Sequence, residues 1–283
     1  MRELIIERMD LVLTTRCSLR CEKCANLMQY YEKPYDVNLG VIYKSIEKLM
    51  RSIDLLNQIY VLGGEPFLYS ELGEVISFLI EIEKIKEIIV VTNATISPSD
   101  TKLLRILRNK KVVIRISNYG ELSKNIEQLI NVCKEYRINY ILEKKGFFYD
   151  TGSMKCRNRT DVELNKVFFD CSTQCRSLFR GELHYCPRSA HGTDLNLVPK
   201  VDGDYIDILS YAEEVPRNVI EDFMNRKNYV KACDYCDIRT PGYYDRKIPL
   251  ARQAKSVLRV DEESIDEKEC ADYNYRCNGE VVY

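Results

Sequence analysis

Three cysteines in the run Cys17-Ser-Leu-Arg-Cys21-Glu-Lys-Cys24 place three thiolates on one short loop. A four-iron cubane takes four ligands, so such a loop would hold a cluster with one iron left open; the same CxxxCxxC spacing also suits a zinc site that lacks one ligand. The chain carries twelve cysteines in 283 residues. In a small secreted protein that number would read as a disulfide framework, but this chain is long and opens without a signal-peptide pattern, so metal binding is the better explanation. The cysteines bunch as 17/21/24, then 171/175/186, then 233/236, with Cys133, Cys156, Cys270 and Cys277 more isolated. Soft thiolate groups of this kind suit zinc or iron–sulfur. A second chemical signal is the turn Gly63-Gly64-Glu65-Pro66, whose glycines allow close backbone approach and positive φ.

These residues need elements to hold them. From residue 10 to about residue 143, short β-branched runs alternate with segments of helical period, the signature of repeated βα units around a parallel sheet. The spacing predicts strands at Leu11–Thr14, Gln58–Leu62, Glu87–Thr92, Val112–Ser117 and Asn139–Leu142. Between them it predicts helices at Val41–Ile53, Glu71–Ile82, Pro98–Leu107 and Ser123–Tyr136. Each motif of the first half follows a strand, which is where α/β barrels and open parallel sheets place ligand sites. After Lys144 the sequence turns rich in Gly, Asp, Asn and Arg, with a helix expected at Asp161–Phe169. A hairpin-like segment then runs Ser177-Leu-Phe-Arg-Gly-Glu-Leu-His-Tyr-Cys among the later cysteines, which suggests a small cluster-binding module over residues 171–241.

The cysteine loop and the Gly-Gly-Glu-Pro turn, one βα unit apart, resemble the radical S-adenosylmethionine (SAM) superfamily. The resemblance implies an α/β fold, a partial (β/α)6 TIM-type barrel, in which Cys17, Cys21 and Cys24 ligate one 4Fe–4S cluster and SAM chelates its open iron. Gly63, Gly64, Glu65 and Pro66 would help to seat SAM. Val91-Thr92-Asn93 resembles the family's TNG segment, with Ala94 in place of glycine, and assigns Asn93 to the nucleoside. Ile116-Ser117-Asn118-Tyr119-Gly120 resembles the strand end whose serine, here Ser117, meets the ribose or carboxylate. One departure is Lys23, which stands where many members carry an aromatic residue near the adenine.

The later cysteines resemble the SPASM/twitch auxiliary module, in its shorter twitch form because Gly242 stands where the long form continues with cysteine. That likeness implies a second 4Fe–4S cluster closed by Cys171, Cys186, Cys233 and Cys236, with Cys175 a rival to Cys171. A structural zinc held by the same four thiolates remains the alternative. Residues 1–150 would form the radical SAM core, and residues 151–283 the remainder of the barrel, the module and a C-terminal tail. The layout from residue 10 to about 240 is similar to 2-deoxy-scyllo-inosamine dehydrogenases and, more loosely, to radical SAM proteins of bacterial surface-sugar pathways. It implies hydrogen abstraction from a carbohydrate or cyclitol and two-electron alcohol oxidation, served by a flavodoxin- or ferredoxin-type electron donor. Radical epimerisation, with Cys270 or Cys277 returning hydrogen, and peptide modification are the alternatives. Ten residues before the first strand would leave no room for a fused peptide-recognition domain.

Composition narrows the partners. Forty-two basic against forty-three acidic side chains leave the net charge near zero, so neither nucleic acid nor a membrane surface is expected as a partner. No stretch has the roughly 18 apolar residues of a spanning helix, and a cytoplasmic protein is expected. His184 and His191 flank Cys186; a surface place on the hairpin is expected for His184, and a proton-transfer role stays open for His191. Arg157, Arg159 and Arg188 are either substrate-anion clamps or, by default, solvated.

Overall fold

The computed structural model describes residues 3–171 and 175–260. Its first half is four βα repeats and a fifth strand: β1 (Ile5–Thr14), α1 (Leu39–Ser52), β2 (Leu55–Gly63), α2 (Leu72–Glu81), β3 (Ile85–Thr92), α3 (Thr101–Leu107), β4 (Val112–Ile116), α4 (Ile126–Tyr136) and β5 (Asn139–Leu142). Then come β6 (Phe147–Tyr149), α5 (Asp161–Asp170), β7 (Arg176–Phe179), β8 (Glu182–His184), α6 (Pro187–Asp194), β9 (Tyr205–Asp207), α7 (Arg217–Met224) and β10 (Lys247–Pro249). Eight strands form one sheet in the order β5-β4-β3-β2-β1-β7-β8-β9, while β6 and β10 pair separately.

The α/β class and the mostly parallel, partial-barrel layout hold. Strands β1 to β5 run parallel in chain order. The sixth parallel strand does not follow β5; it is β7, which joins the sheet on the far side of β1 with Met9 opposite Arg176. The hairpin expected from residue 177 forms as β7 and β8, joined by Arg180 and Gly181 at φ 53° and 87°. Two successive positive φ values match the twist of a tight two-residue hairpin turn and explain the glycine.

Strand β1 begins at Ile5, six residues before its expected start at Leu11, so four residues precede it and not ten. Charges at Glu7, Arg8 and Asp10 masked it in the sequence. Inside the sheet Arg8 donates to Asp10 at 3.0 Å and its guanidinium lies 3.8 Å over the Tyr60 ring, so both charges are paired where they are buried.

Alternation assigns the two faces of the sheet different work. Met9, Leu11 and Leu13 of β1 and Ile59 and Val61 of β2 share one core with Ile42, Ile46 and Leu49, which recur at helical spacing along α1. The opposite face carries a polar row, because the register sets Arg8 beside Gln58, Asp10 beside Tyr60 and Gln58 beside Glu87. The strand ends therefore project their loops from a stiff apolar layer on one side and a polar floor on the other.

Candidate active site

The loop after β1 carries Cys17, Cys21 and Cys24, and the turn after β2 is built against it. Gly64 N donates to Thr14 O and Glu65 N to Arg16 O, both at 2.9 Å. A Cβ at Gly63 would stand 2.2 Å from Thr14 O, and one at Gly64 would stand 2.1 Å from Arg16 O. Neither glycine has a positive φ, so close approach to the cysteine loop is what requires them.

Glu65 extends this contact to the next strand. It is fully buried and accepts from Thr92 Oγ1 and Asn93 N at 2.9 Å each, and from Phe67 N at 3.2 Å. Burial lifts its carboxyl to about 7, against three donors that favour the ionised form. Asn93 in turn points its Nδ2 at Ser18 Oγ, 3.1 Å away, and at Cys17 Sγ, 3.7 Å away. The ends of β1, β2 and β3 are thus tied together around Cys17. Ser117 lies one strand farther, where its backbone N–H bonds to Thr92 O at 2.9 Å and its hydroxyl to Glu143 at 3.1 Å.

Burial pushes the Cys17 thiol up to about 12 and the Cys21 thiol up to about 11, and the three sulfurs lie within electrostatic reach of one another. Among the described residues no three Cys, His, Asp or Glu side chains converge on a single-ion site.

Residues 11–141 match the family model described as the Radical SAM superfamily. This segment is a radical SAM domain. The superfamily is one of enzymes that carry a 4Fe–4S cluster and bind SAM. Curated relatives include a GTP 3′,8-cyclase of Clostridium acetobutylicum, 28% identical over 157 residues that cover 49% of this chain and 48% of that protein. The corresponding Clostridium botulinum protein is 28% identical over 149 residues, covering 47% and 46%. The chain therefore spans about half the length of the curated relatives it matches. The crystal structure of BtrN in complex with AdoMet and 2-DOIA is 15% identical, covers 87% of this chain and 100% of that one, and has a TM-score of 0.50. That likeness concerns the fold.

Two features of the radical SAM domain were not foreseen. Lys23 forms an ion pair with Asp150 at 3.3 Å, which ties the cysteine loop to the segment after β6. Tyr119, just past β4, is half-buried within electrostatic reach of Cys24 and Cys21; desolvation first, then those sulfurs, raises its phenol above the usual range. The sequence flagged Tyr119 only as part of the Ser117 motif.

Beyond the domain, the structure brings the second cysteine set together. Cys186, Cys233 and Cys236 lie within electrostatic reach of one another and of Cys171. Cys175 lies within electrostatic reach of Asp10 and Arg8 on β1 and also of Cys171. Backbone N–H groups point at two of these sulfurs, Ser189 N at Cys186 (3.4 Å) and Ile238 N at Cys236 (3.5 Å).

The three arginines are neither solvated nor free for a substrate anion. Arg157 and Arg159 both pair with Asp237, at 2.8 and 2.7 Å. Arg159 also donates to the carbonyls of Cys233 (2.9 Å) and Cys236 (2.7 Å), which clamps the CxxC backbone. Arg188 donates to Tyr235 O, Thr151 Oγ1, Gly152 O and Ser153 O. They are consumed in fixing the module's loops, by ion pairs to Asp237 and by bonds to backbone carbonyls.

His184 is buried, not on the hairpin surface, where it stacks on Tyr205 and bonds to Ser189 and Glu182. His191 is also buried; burial lowers it to about 3, and its Nδ1 sits 2.9 Å from Tyr31 OH. A ring so placed stays neutral at any working pH. Cys270 and Cys277 lie outside the described residues.

Proposed function

We propose that this chain is a radical SAM oxidoreductase acting on a carbohydrate- or cyclitol-type substrate. Cys17, Cys21 and Cys24 would hold a 4Fe–4S cluster whose open iron takes SAM, with Gly63, Gly64, Glu65, Pro66, Asn93 and Ser117 forming the cofactor's protein wall. The observation that carries this reading is the three-cysteine loop locked by two glycine contacts to the Gly-Gly-Glu-Pro turn. When bound, a reduced cluster with SAM supplies a radical able to remove hydrogen from a substrate carbon, and a fully thiolate-ligated second cluster supplies an outlet for the second electron.

The chain's own residues orient and shelter. Glu65 fixes the relative position of the β2 and β3 ends through its three accepted bonds, so Asn93 is held facing the cysteine loop. Cys21 is buried and Cys17 and Cys24 are half-buried, which limits the access of water to the loop. Cys171, Cys186, Cys233 and Cys236 would close the second cluster and leave no iron for direct substrate binding. The substrate class draws support from the sequence likeness to cyclitol dehydrogenases and from the fold shared with BtrN, whose crystal holds AdoMet and 2-DOIA. The cyclase activity named for the curated relatives belongs to proteins matched over half their length and is not part of the proposal.

The test is anaerobic incubation of the reconstituted protein with SAM, dithionite and a panel of nucleotide sugars and cyclitols. A member that raises 5′-deoxyadenosine above the substrate-free rate and leaves as a ketone supports the reading. A stereoisomer in place of a ketone replaces it with epimerisation, and SAM cleavage that no panel member stimulates removes the substrate class.

A further inference from the structure

A segment far along the chain crosses the cysteine loop. Residues 252–254 run antiparallel to residues 20–22: Cys21 bridges Gln253, Ala254 N donates to Arg20 O at 2.7 Å, and Glu22 N donates to Arg252 O at 2.9 Å. An Arg252–Glu22 ion pair and a bond from Leu258 N to Gln29 O, 2.9 Å, extend the strap on both sides.

At its centre, the Gln253 side chain has every polar atom committed. Oε1 accepts from Arg20 N at 2.7 Å, and Nε2 donates to Cys21 Sγ at 3.4 Å and to Ala251 O. The orientation of the amide is fixed by chemistry. A backbone N–H only donates, so the oxygen must face Arg20, and the NH2 is left to face the sulfur and the carbonyl. Cys21 is 9% exposed, so this bond lies where water competes weakly.

We propose that Gln253 is a positioning residue that acts through Cys21: its amide N–H raises the potential at which a cluster on Cys17, Cys21 and Cys24 accepts an electron. The inference rests on reading that loop as the cluster site. A hydrogen bond to a ligating sulfur draws density from the thiolate and stabilises the more negative, reduced cluster, which is one of the main levers a protein has on an iron–sulfur potential. The other two cysteines have different donors, Leu19 N at 3.5 Å and Asn93 Nδ2 at 3.7 Å for Cys17 and the backbone of Asn26, Leu27 and Met28 for Cys24, so the Gln253 bond is the shortest side-chain hydrogen bond to a sulfur of this loop among the described residues. It also comes from outside the radical SAM domain, which gives the C-terminal segment a direct effect on the redox step.

The experiment is an EPR-monitored redox titration of the reconstituted full chain, following the signal that changes when SAM is added, for wild type, Gln253→Leu and Gln253→Glu. Gln253→Glu keeps an acceptor for Arg20 N–H and so keeps the strap, but loses the donor and adds a negative charge. Both variants are expected to retain wild-type iron and to shift the midpoint to more negative values, with glutamate shifted further than leucine. If leucine costs the cluster, the glutamate variant decides alone. An unchanged midpoint at full iron content overturns the proposal, as does loss of iron in both variants, which would make the strap only a cover. A wild type with no SAM-responsive signal would instead overturn the reading of the loop.

Discussion

Glu65 carries two opposed influences that make its behaviour measurable. The folded protein holds the Glu65 proton up to about 7, whereas the ordinary glutamate value is 4.5. The folded state therefore binds more protons than the unfolded state between those values, and stability from this residue, complete below pH 4.5, is lost as pH rises through 7. The loss is at most about 3 kcal/mol. Urea unfolding of the metal-free protein at pH 5 and pH 8 should show a lower midpoint at pH 8, and Glu65→Gln should flatten the difference. Gly64 makes a second residue-level test. With 2.1 Å between a new Cβ and Arg16 O, Gly64→Ala must move the cysteine loop, at a cost of roughly 1–3 kcal/mol. Iron retained per chain by the variant should fall, and wild-type loading at unchanged stability would show that the turn and loop are not rigidly coupled.

At the scale of elements, Asp237 holds the auxiliary module together, because both Arg157 and Arg159 depend on it and Arg159 fixes the Cys233 and Cys236 carbonyls. Asp237→Ala leaves two largely buried guanidinium groups unpaired and should cost about 3 kcal/mol. The second cluster should be lost while the SAM-responsive one stays, an outcome that Mössbauer spectroscopy can read. The four packing helices and five strands of the first half were legible because each follows a period of its own and ends near a polar turn. Cysteine loop and turn were legible together because one βα unit separates them. What could not be read were pairings without a local signal. Nothing in Arg176-Ser-Leu-Phe says that it will lie beside β1, nothing in Ala251-Arg-Gln-Ala says that it will cover Cys21, and the charges at Glu7, Arg8 and Asp10 concealed half of β1 until Tyr60 and the register supplied their partners. Arg157, Arg159 and Arg188 misled for the same reason, since their acceptors are mostly backbone carbonyls, which every residue has.

Over the whole molecule, two cysteine sets predict an iron count. The reconstituted protein should carry about eight irons, the sum of two four-iron clusters. Replacing any one of Cys17, Cys21 or Cys24 with alanine should abolish reductive SAM cleavage and leave about four, and wild-type 5′-deoxyadenosine from any of the three would sink the assignment. A folded Cys233→Ala/Cys236→Ala protein should still cleave SAM yet form little oxidised product. The strap adds a matter of timing. Arg20 and Gln253 are 233 positions apart, so at about 5–20 residues per second the ribosome needs roughly 10–50 s after making the cysteine loop before it has made the loop's lid. A nascent chain cannot own a finished first site, however well its early strands have paired. Oxygen met during that interval finds Cys21 without the residue that later covers it.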